Sequence, residues 1–372
     1  MYFAHTNATE QLISSYKPVQ PFINYLKDFF KKNKKMGASD RRTIGNYCFN
    51  YFRWNNALPN LSFVENLQLA LYAIDNVKHP NLPHYNLLSQ RLEAIKNTYP
   101  AFSLFNINNT STYFSKAINV TDALYYQLTK PMVFVRIVNK ADLVKTELTK
   151  NNIAFIEIDT KTLSIASAAK LTQLQVYADG CFEIQDYASQ LCLADIYTTP
   201  EEFWWDCCAG AGGKSLYFKQ NNPETKLLVS DIRQDVLQEA GNRFKKTGLK
   251  KIEIKMHDAV MPLDQRFDGI IVDAPCSGSG TWKRAPEHYR HFDVLSLNSF
   301  KHRQIALIKN AWLHLKPGGK LIYITCSMFA AENEDVINEA NQFCNAHVSH
   351  TVINGNVYGA DIMFRAVFTK SS

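Results

Sequence analysis

Phe203-Trp204-Trp205-Asp206-Cys207-Cys208-Ala209-Gly210-Ala211-Gly212-Gly213-Lys214-Ser215 runs an apolar segment of strand length directly into a glycine loop, and the residues beyond it read as a helix. Open α/β sheets receive ligands at such a turn. Glycine lets the backbone come close to a ligand, and a helix N-terminus favours negative or polar groups. Three ligands compete for the loop. A phosphate-binding P-loop needs a glycine five positions before Gly213, and that position is Cys208, so the pattern fails. A dinucleotide fingerprint needs G-x-G-x-x-G; Gly210 and Gly212 fit, but the third place is Ser215. The third reading is a loop for S-adenosylmethionine, which uses the same crevice. A loop without any ligand is a poor account of three glycines in four positions.

Working outward, strands and helices alternate. KLLVSD ends in Asp231, 18 residues beyond Gly213, where a carboxylate can hold both hydroxyls of a ribose. KIEIKM is followed by His257-Asp258-Ala259; Asp258 could accept from an adenine amino group, and reads equally well as a turn or N-cap residue. FDGIIVD ends in Asp273-Ala274-Pro275-Cys276-Ser277-Gly278-Ser279-Gly280-Thr281-Trp282, and KLIYI ends in Thr325-Cys326-Ser327. Helical patterns at 234–247 and 298–315 lie between these runs. The alternation predicts a parallel sheet with helices on both faces.

Ligands bind at the carboxyl ends of such strands, so Asp273, Cys276 and Cys326 should gather beside the crevice. One cysteine at a strand end is usually a small packing residue. Two on neighbouring strand ends, one inside a Pro-Cys-Ser-Gly loop, point to chemistry. The C5 carbon of a pyrimidine is a poor nucleophile. A thiolate added at C6 makes it reactive toward a sulfonium methyl group, and a second sulfur can assist release of the product. Stabilising the charge that builds at N3 suits Asp273, with Lys214 nearby. Amino-group methylases favour an aromatic residue where this chain has Cys276, which argues against amine methylation.

Upstream, PMVFVRIV, IAFIEI, LQVYA and CFEIQ are short β-branched runs and predict a small α/β module. Before it, Phe22, Tyr25, Leu26, Phe29 and Phe30 recur at helical spacing. Gly37-Ala38-Ser39-Asp40 supplies a break and an N-cap, and Ile44, Tyr47, Cys48 and Tyr51 continue an apolar stripe. Residues 98–121, rich in Asn, Ser and Thr, read as a polar connection. The expected domains are therefore 1–125, helical; 126–195, small α/β; and 196–372, the glycine-loop domain.

Charge supports that division. The 372 residues carry a formal net charge of +7, yet residues 1–130 hold 14 Lys/Arg against 7 Asp/Glu, and the remainder is balanced. Lys31, Lys32, Lys34, Lys35, Arg41, Arg42 and Arg53 stand among Phe29, Phe30, Tyr47, Tyr51, Phe52 and Trp54. Such a segment suits phosphates and unpaired bases, and equally a solvated helix face over an aromatic core. No run of 18 apolar residues suggests a membrane span, and the first ten residues lack the plan of a secretory signal, so a cytoplasmic protein is expected; a monomer is the expected state. The eight cysteines should then be thiols, and none forms a C-x-x-C pair. His288 and His291 have no acid or cysteine at ligand spacing, so no metal is expected. Cys48, Cys181, Cys192, Cys207 and Cys344 read as packing residues, as do Trp204 and Trp205. Trp282 is a candidate for stacking on a base or for a wall of the site.

Across about residues 130–370 the chain resembles the Nop/Sun family of RNA cytosine-C5 methyltransferases. The residues that carry the resemblance are CAGAGGKS at 208–215, DAPCSGSGTWKRAP at 273–286, TCS at 325–327, Glu332-Asn333-Glu334, and FEIQD with Ser189. The resemblance implies a Rossmann-like domain that uses S-adenosylmethionine, with Cys326 as nucleophile, Cys276 assisting release and Asp273 contacting the base. It implies that Cys208, Ala209, Gly210, Ala211, Gly212, Gly213, Lys214, Asp231, Asp258 and Asp273 hold the cofactor, and that Lys283 and Arg284 face RNA. It also implies that 126–195 is a small RRM-like RNA-recognition module. Gly37, Asp40, Arg41, Arg42, Ile44 and Arg53 make the first domain similar to the all-helical NusB-like domain of the bacterial branch that modifies small-subunit rRNA. Two departures stand out. Gly210-Ala211 replaces Ala-Pro of the commoner loop, and Arg136-Ile137-Val138-Asn139 is one residue longer than the family's Arg-x-Asn. The expected activity is formation of 5-methylcytosine in small-subunit rRNA. The alternatives are a tRNA cytosine-C5 methyltransferase, and an RNA-binding ribosome-assembly factor with a degenerate site.

Overall fold

The computed structural model describes residues 3–54, 57–99, 113–166 and 170–372, which divide into two compact units. The first unit comprises residues 1–112, 119–130 and 282–293; the second comprises 113–118, 131–281 and 294–372.

The first unit is helical: α1 (Phe3–Ser15), α2 (Phe22–Lys32), α3 (Ala38–Trp54), α4 (Phe63–Asp75), α5 (Leu88–Thr98) and α6 (Val120–Gln127). The apolar stripe read from the sequence is its core, with Phe22, Leu26, Phe30, Ile44, Cys48 and Tyr51 buried together. Asp40 lies inside α3 rather than before it, and its carboxylate reaches back to accept from the Gly37 N–H at 2.9 Å. Ser62 and Glu65 close a reciprocal capping box at the start of α4. Most of the polar connection read at 98–121 falls outside the described residues.

The second unit contains two sheets. The smaller is built from β1 (Val133–Ile137), β2 (Ile156–Glu157), β3 (Thr162–Ile165) and β4 (Phe182–Ile184), in the order β2-β3-β1-β4 and antiparallel throughout. It carries α7 (Ala141–Lys150) and α8 (Gln175–Ala178), whereas α9 (Tyr187–Leu191), which follows β4, packs into the core on the larger sheet. LQVYA, expected as a strand, forms α8. The carboxylate of Glu147 in α7 accepts from the Gln175 and Val176 N–H groups at 2.7 and 3.2 Å, capping a helical turn where a lone β-branched run has no strand partner.

The larger sheet follows the alternation read from the sequence. Its elements are β5 (Phe203–Asp206), α10 (Gly213–Asn221), β6 (Lys226–Asp231), α11 (Gln234–Thr247), β7 (Ile252–Met256) and β8 (Phe267–Asp273). The chain then enters the helical unit, forms α12 (Pro286–Arg290), and returns as α13 (Ser296–His314), β9 (Leu315–Thr325), α14 (Glu334–Cys344), β10 (His347–Asn354) and β11 (Ile362–Thr369). The strand order is β10-β11-β9-β8-β5-β6-β7. Strands β5 to β9 are parallel, as expected, but β10 and β11 are antiparallel additions at one edge. Only a short 3₁₀ turn joins β10 to β11, with no helix to carry a parallel crossover. Successive strand residues bury on opposite faces: Trp205, Ile270, Val272 and Tyr323 in one core, and Trp204, Ile271, Ile322 and Ile324 in the other.

Candidate active site

The carboxyl ends of β5, β6, β8 and β9 meet around a cavity of about 610 Å³. It is lined by Cys208, Ala209, Gly210, Ala211, Lys214, Asp231, Asp258, Asp273, Cys276 and Cys326, all singled out in the sequence. Gly212 and Gly213 do not line it. Gly212 has φ +76°, and a Cβ there would stand 2.9 Å from Phe244 and 3.0 Å from Ala240, so this glycine serves the turn and its packing against α11. The loop is held from outside the cavity as well. Arg243 donates to the Ala211 carbonyl at 2.7 Å and is itself held by buried Glu183 of the FEIQD segment at 2.9 Å. Arg136, fully buried, donates to Gln185 of the same segment at 2.7 Å.

At one end of the cavity, Asp231 accepts from the Gly210 N–H at 2.9 Å and from Arg233 through its N–H and side chain at 3.0–3.2 Å. Burial acts to raise the Asp231 carboxyl, but Arg233 and Gly210 outweigh it and hold it below the usual carboxylate range. Asp258 lines the cavity and accepts from the Val260 N–H at 3.3 Å in its own turn.

At the other end, Lys214 Nζ lies 2.7 Å from Asp273 Oδ2. Burial pulls the Lys214 ammonium down, yet the charges of Asp273, Cys192 and Cys326 prevail and hold it above its ordinary value. The sulfurs of Cys276 and Cys326 stand 3.2 Å apart. The hydrogen bond with Cys326, then burial, then the charges of Cys326 and Glu332, push the Cys276 thiol well up, so it is held protonated. The two cysteine loops are joined by the Gly280 N–H, which donates to the Cys326 carbonyl at 2.9 Å. Beneath them, Asp206 is fully buried; it accepts from Ser215 Oγ at 2.6 Å, and burial pushes its carboxyl up to about 7.

Several residues at the site had no role in the sequence reading. Arg233, Ile232, Pro275, Arg303 and Leu307 line the cavity. Arg303 and Leu307 are one helical turn apart, a spacing any helix face offers, so nothing local marks them. Glu332 belonged to a recognised motif, but only the fold brings its buried carboxylate to Ser277 and Ser327, the neighbours of the two cysteines.

Three expectations for the basic and aromatic residues change. Arg53 is buried in the helical unit, where it donates to the Lys283 carbonyl at 3.2 Å. Lys283 is buried too, its ammonium 3.8 Å from the centre of the Tyr126 ring. Trp282 packs against Tyr289 and Phe292 and is 2% exposed, so it presents no face for a base. Lys31, Lys32, Lys34, Lys35 and Arg284 remain exposed. Among the aromatic residues interleaved with that basic run, Phe30, Tyr51, Phe52 and Trp54 are core.

Residues 195–365 match the family model described as 16S rRNA methyltransferase RsmB/F. Ribosomal RNA small subunit methyltransferase B of Enterobacter sp. (strain 638) is 31% identical over 179 residues, which is 47% of this chain and 42% of that protein. The match thus spans less than half of that relative's length. Among solved structures, the protein PH0851 superposes with a TM-score of 0.69 at 17% identity, covering 100% of this chain and 99% of that one. The crystal structure of NSun6 from Pyrococcus horikoshii with SFG gives a TM-score of 0.60 at 14% identity, covering 68% of this chain and 94% of that one. These two likenesses establish the fold. With the glycine loop, Asp231, the Asp273–Lys214 pair and the two cysteines all on one cavity, it is residues 195–365 that match the RsmB/F methyltransferase family, in agreement with the Nop/Sun resemblance of the sequence.

Proposed function

We propose that this protein is an S-adenosylmethionine-dependent methyltransferase that forms 5-methylcytosine in small-subunit rRNA. The observation that carries the reading is the arrangement of one cavity: two cysteine sulfurs 3.2 Å apart beside a carboxylate–ammonium pair, across from a glycine loop and a ribose-type carboxylate. The cavity suits the cofactor. Its volume, about 610 Å³, is of the size that encloses small-molecule ligands. Asp231 would take the ribose hydroxyls, Asp258 the adenine amino group, and the backbone of 208–211 the body of the molecule. When bound, the cofactor supplies an electrophilic methyl group on a sulfonium.

The chain's own residues do the rest. Cys326 adds as thiolate to C6 of the target cytosine, which makes C5 nucleophilic toward the methyl group. Asp273, steadied by Lys214, meets the base at N3, where a proton delivered by its carboxylic acid form offsets the negative charge that develops and the Lys214 ammonium balances the carboxylate that results. Release needs loss of the C5 proton, to a water positioned by Cys276, and rupture of the S–C6 bond, which returns the Cys326 thiolate. The RNA-binding parts are the helical unit, read as NusB-like, and the four-stranded sheet, read as RRM-like. The exposed lysines at 31, 32, 34 and 35 supply phosphate contacts. The test is methyl transfer from labelled S-adenosylmethionine to rRNA and tRNA, with 5-methylcytosine mapped in cells with and without the protein. A mark in small-subunit rRNA that disappears with the protein is the expected result. Transfer confined to tRNA would reassign the substrate. Cofactor binding without transfer to any RNA would leave only an RNA-binding factor.

A further inference from the structure

Glu332 sits in the short turn between β9 and α14, fully buried. Its Oε1 accepts from the Ser277 N–H at 2.8 Å and from Gln304 Nε2 at 3.2 Å. Its Oε2 accepts from Ser277 Oγ and Ser327 Oγ, both at 2.5 Å. Ser277 follows Cys276, and Ser327 follows Cys326. One carboxylate therefore bonds to both cysteine loops, each time at the residue next to the sulfur. Among the described residues no cation pairs with it, so neutral donors alone carry the charge. Burying a carboxylate in that way is costly unless each oxygen is satisfied, which here depends on both loops being in place.

The charges around the two sulfurs are also unequal. Glu332 acts on Cys276, whereas the Lys214 ammonium acts on Cys326. Glu332 Oε1 is bonded at 2.8 Å to the backbone N–H directly after Cys276, so its negative charge disfavours a thiolate on that sulfur.

We propose that Glu332 is a positioning residue that ties the two cysteine loops together through Ser277 and Ser327 and, by setting its charge on the Cys276 side, decides that Cys326 is the attacking sulfur. This rests on the reading of the pair as the methyl-transfer cysteines. The side chain touches neither substrate nor cofactor. It acts through the geometry and charge of the pair.

The test uses the full chain and needs neither RNA nor cofactor. Iodoacetamide alkylation of Cys276 and Cys326 is followed separately by mass spectrometry across a pH series. In the wild type Cys326 is expected to react first. Glu332→Gln keeps the volume and removes the charge, and it should narrow the Cys326-to-Cys276 rate ratio by about tenfold, the equivalent of one pKa unit. Equal reactivity of the two cysteines in the wild type would overturn the proposal, as would an unchanged ratio in folded Glu332→Gln. If Glu332→Gln does not fold, the Ser277→Ala/Ser327→Ala double variant cuts both hydroxyl ties while keeping the carboxylate; a changed ratio there supports the proposal and an unchanged one overturns it. A wild type that shows the expected ratio yet methylates no RNA would reject the methyltransferase reading and leave the role of Glu332 standing.

Discussion

The sulfurs of Cys276 and Cys326 lie 3.2 Å apart at the ends of adjacent parallel strands, with the first held protonated beside the second. Two thiols in that relation are suited to different steps of one reaction. Cys326→Ala is expected to abolish both methyl transfer and covalent capture of RNA. Cys276→Ala is expected to accumulate a protein–RNA adduct that survives a denaturing gel. Normal turnover by Cys276→Ala would remove its role in release.

Asp273 and Lys214 form the second pair, 2.7 Å apart with the lysine side chain 13% exposed. Asp273→Asn leaves a nearly buried ammonium without its charge partner. Loss of about 3 kcal/mol in urea denaturation is expected, the lower end of the buried-pair range because Asp273 retains some solvent access. Methyl transfer should fall by about a hundredfold or more, as when a group that stabilises developing charge is removed. A variant of wild-type stability would show that water already neutralises the lysine.

Asp206 gives the protein a pH-dependent stability. Its carboxyl titrates at about 7 in the fold, because burial disfavours its charge, whereas an aspartate in the unfolded chain titrates near its ordinary value of about 3.9. The folded form thus binds the extra proton, and this contribution is full below about pH 4 and is lost as pH rises through about 7. Asp206→Asn should melt higher than the wild type at pH 8, by several degrees, with the gap narrowing as pH falls below 7 and closing only below about pH 4. A gap that does not change with pH would assign it to packing rather than to charge.

Gly280 is a place where no side chain fits. A Cβ there would stand 1.8 Å from the Ile362 carbonyl of β11 and 3.2 Å from that of Cys326. Gly280→Ala must move backbone, and a loss of about 3 kcal/mol or more is expected, with methyl transfer lost alongside. Differential scanning calorimetry and a transfer assay would check this. Wild-type stability would mean that the loop after Cys276 yields easily.

The basic residues of the helical unit divide by burial. Arg53→Ala should lower the melting temperature and leave the salt dependence of RNA binding unchanged. Replacing Lys31, Lys32, Lys34 and Lys35 with alanine should do the reverse. It should flatten the slope of log K against log salt by about 0.7–0.9 for each phosphate that is no longer neutralised. Filter binding over a salt series separates the two. Point substitutions are preferable to deletion of the helical unit, because residues 282–293, which follow the Cys276 loop, fold as part of it.

Much of the larger sheet was legible because its signals are local. Apolar runs of strand length, a glycine loop and helical patterns such as 234–247, which is α11 to the residue, need only their neighbours in the chain. Strand ends in a parallel sheet converge by topology, so Asp231, Asp273, Cys276 and Cys326 could be placed together before any coordinate was known. LQVYA failed for the opposite reason. Its helical turn is capped by Glu147, 28 residues away from Gln175, and a period-2 pattern cannot register a distant carboxylate.

The chain by itself thus determined the five parallel strands of the sheet, the loop and the two sulfurs, since periodicity and strand order suffice for them, whereas the antiparallel edge of β10 and β11 was not read from it. The tertiary structure alone decided what surrounds them. Glu332 bridges Ser277 and Ser327, which are 50 positions apart in the chain, and Arg53 is buried against a segment 230 residues away. Charge and residue type tell which groups can bond. Only packing tells which are removed from water: desolvation turned Lys283, Arg53 and Trp282 from surface candidates into core and raised the Asp206 carboxyl, and contact with Cys326, followed by burial, raised the Cys276 thiol.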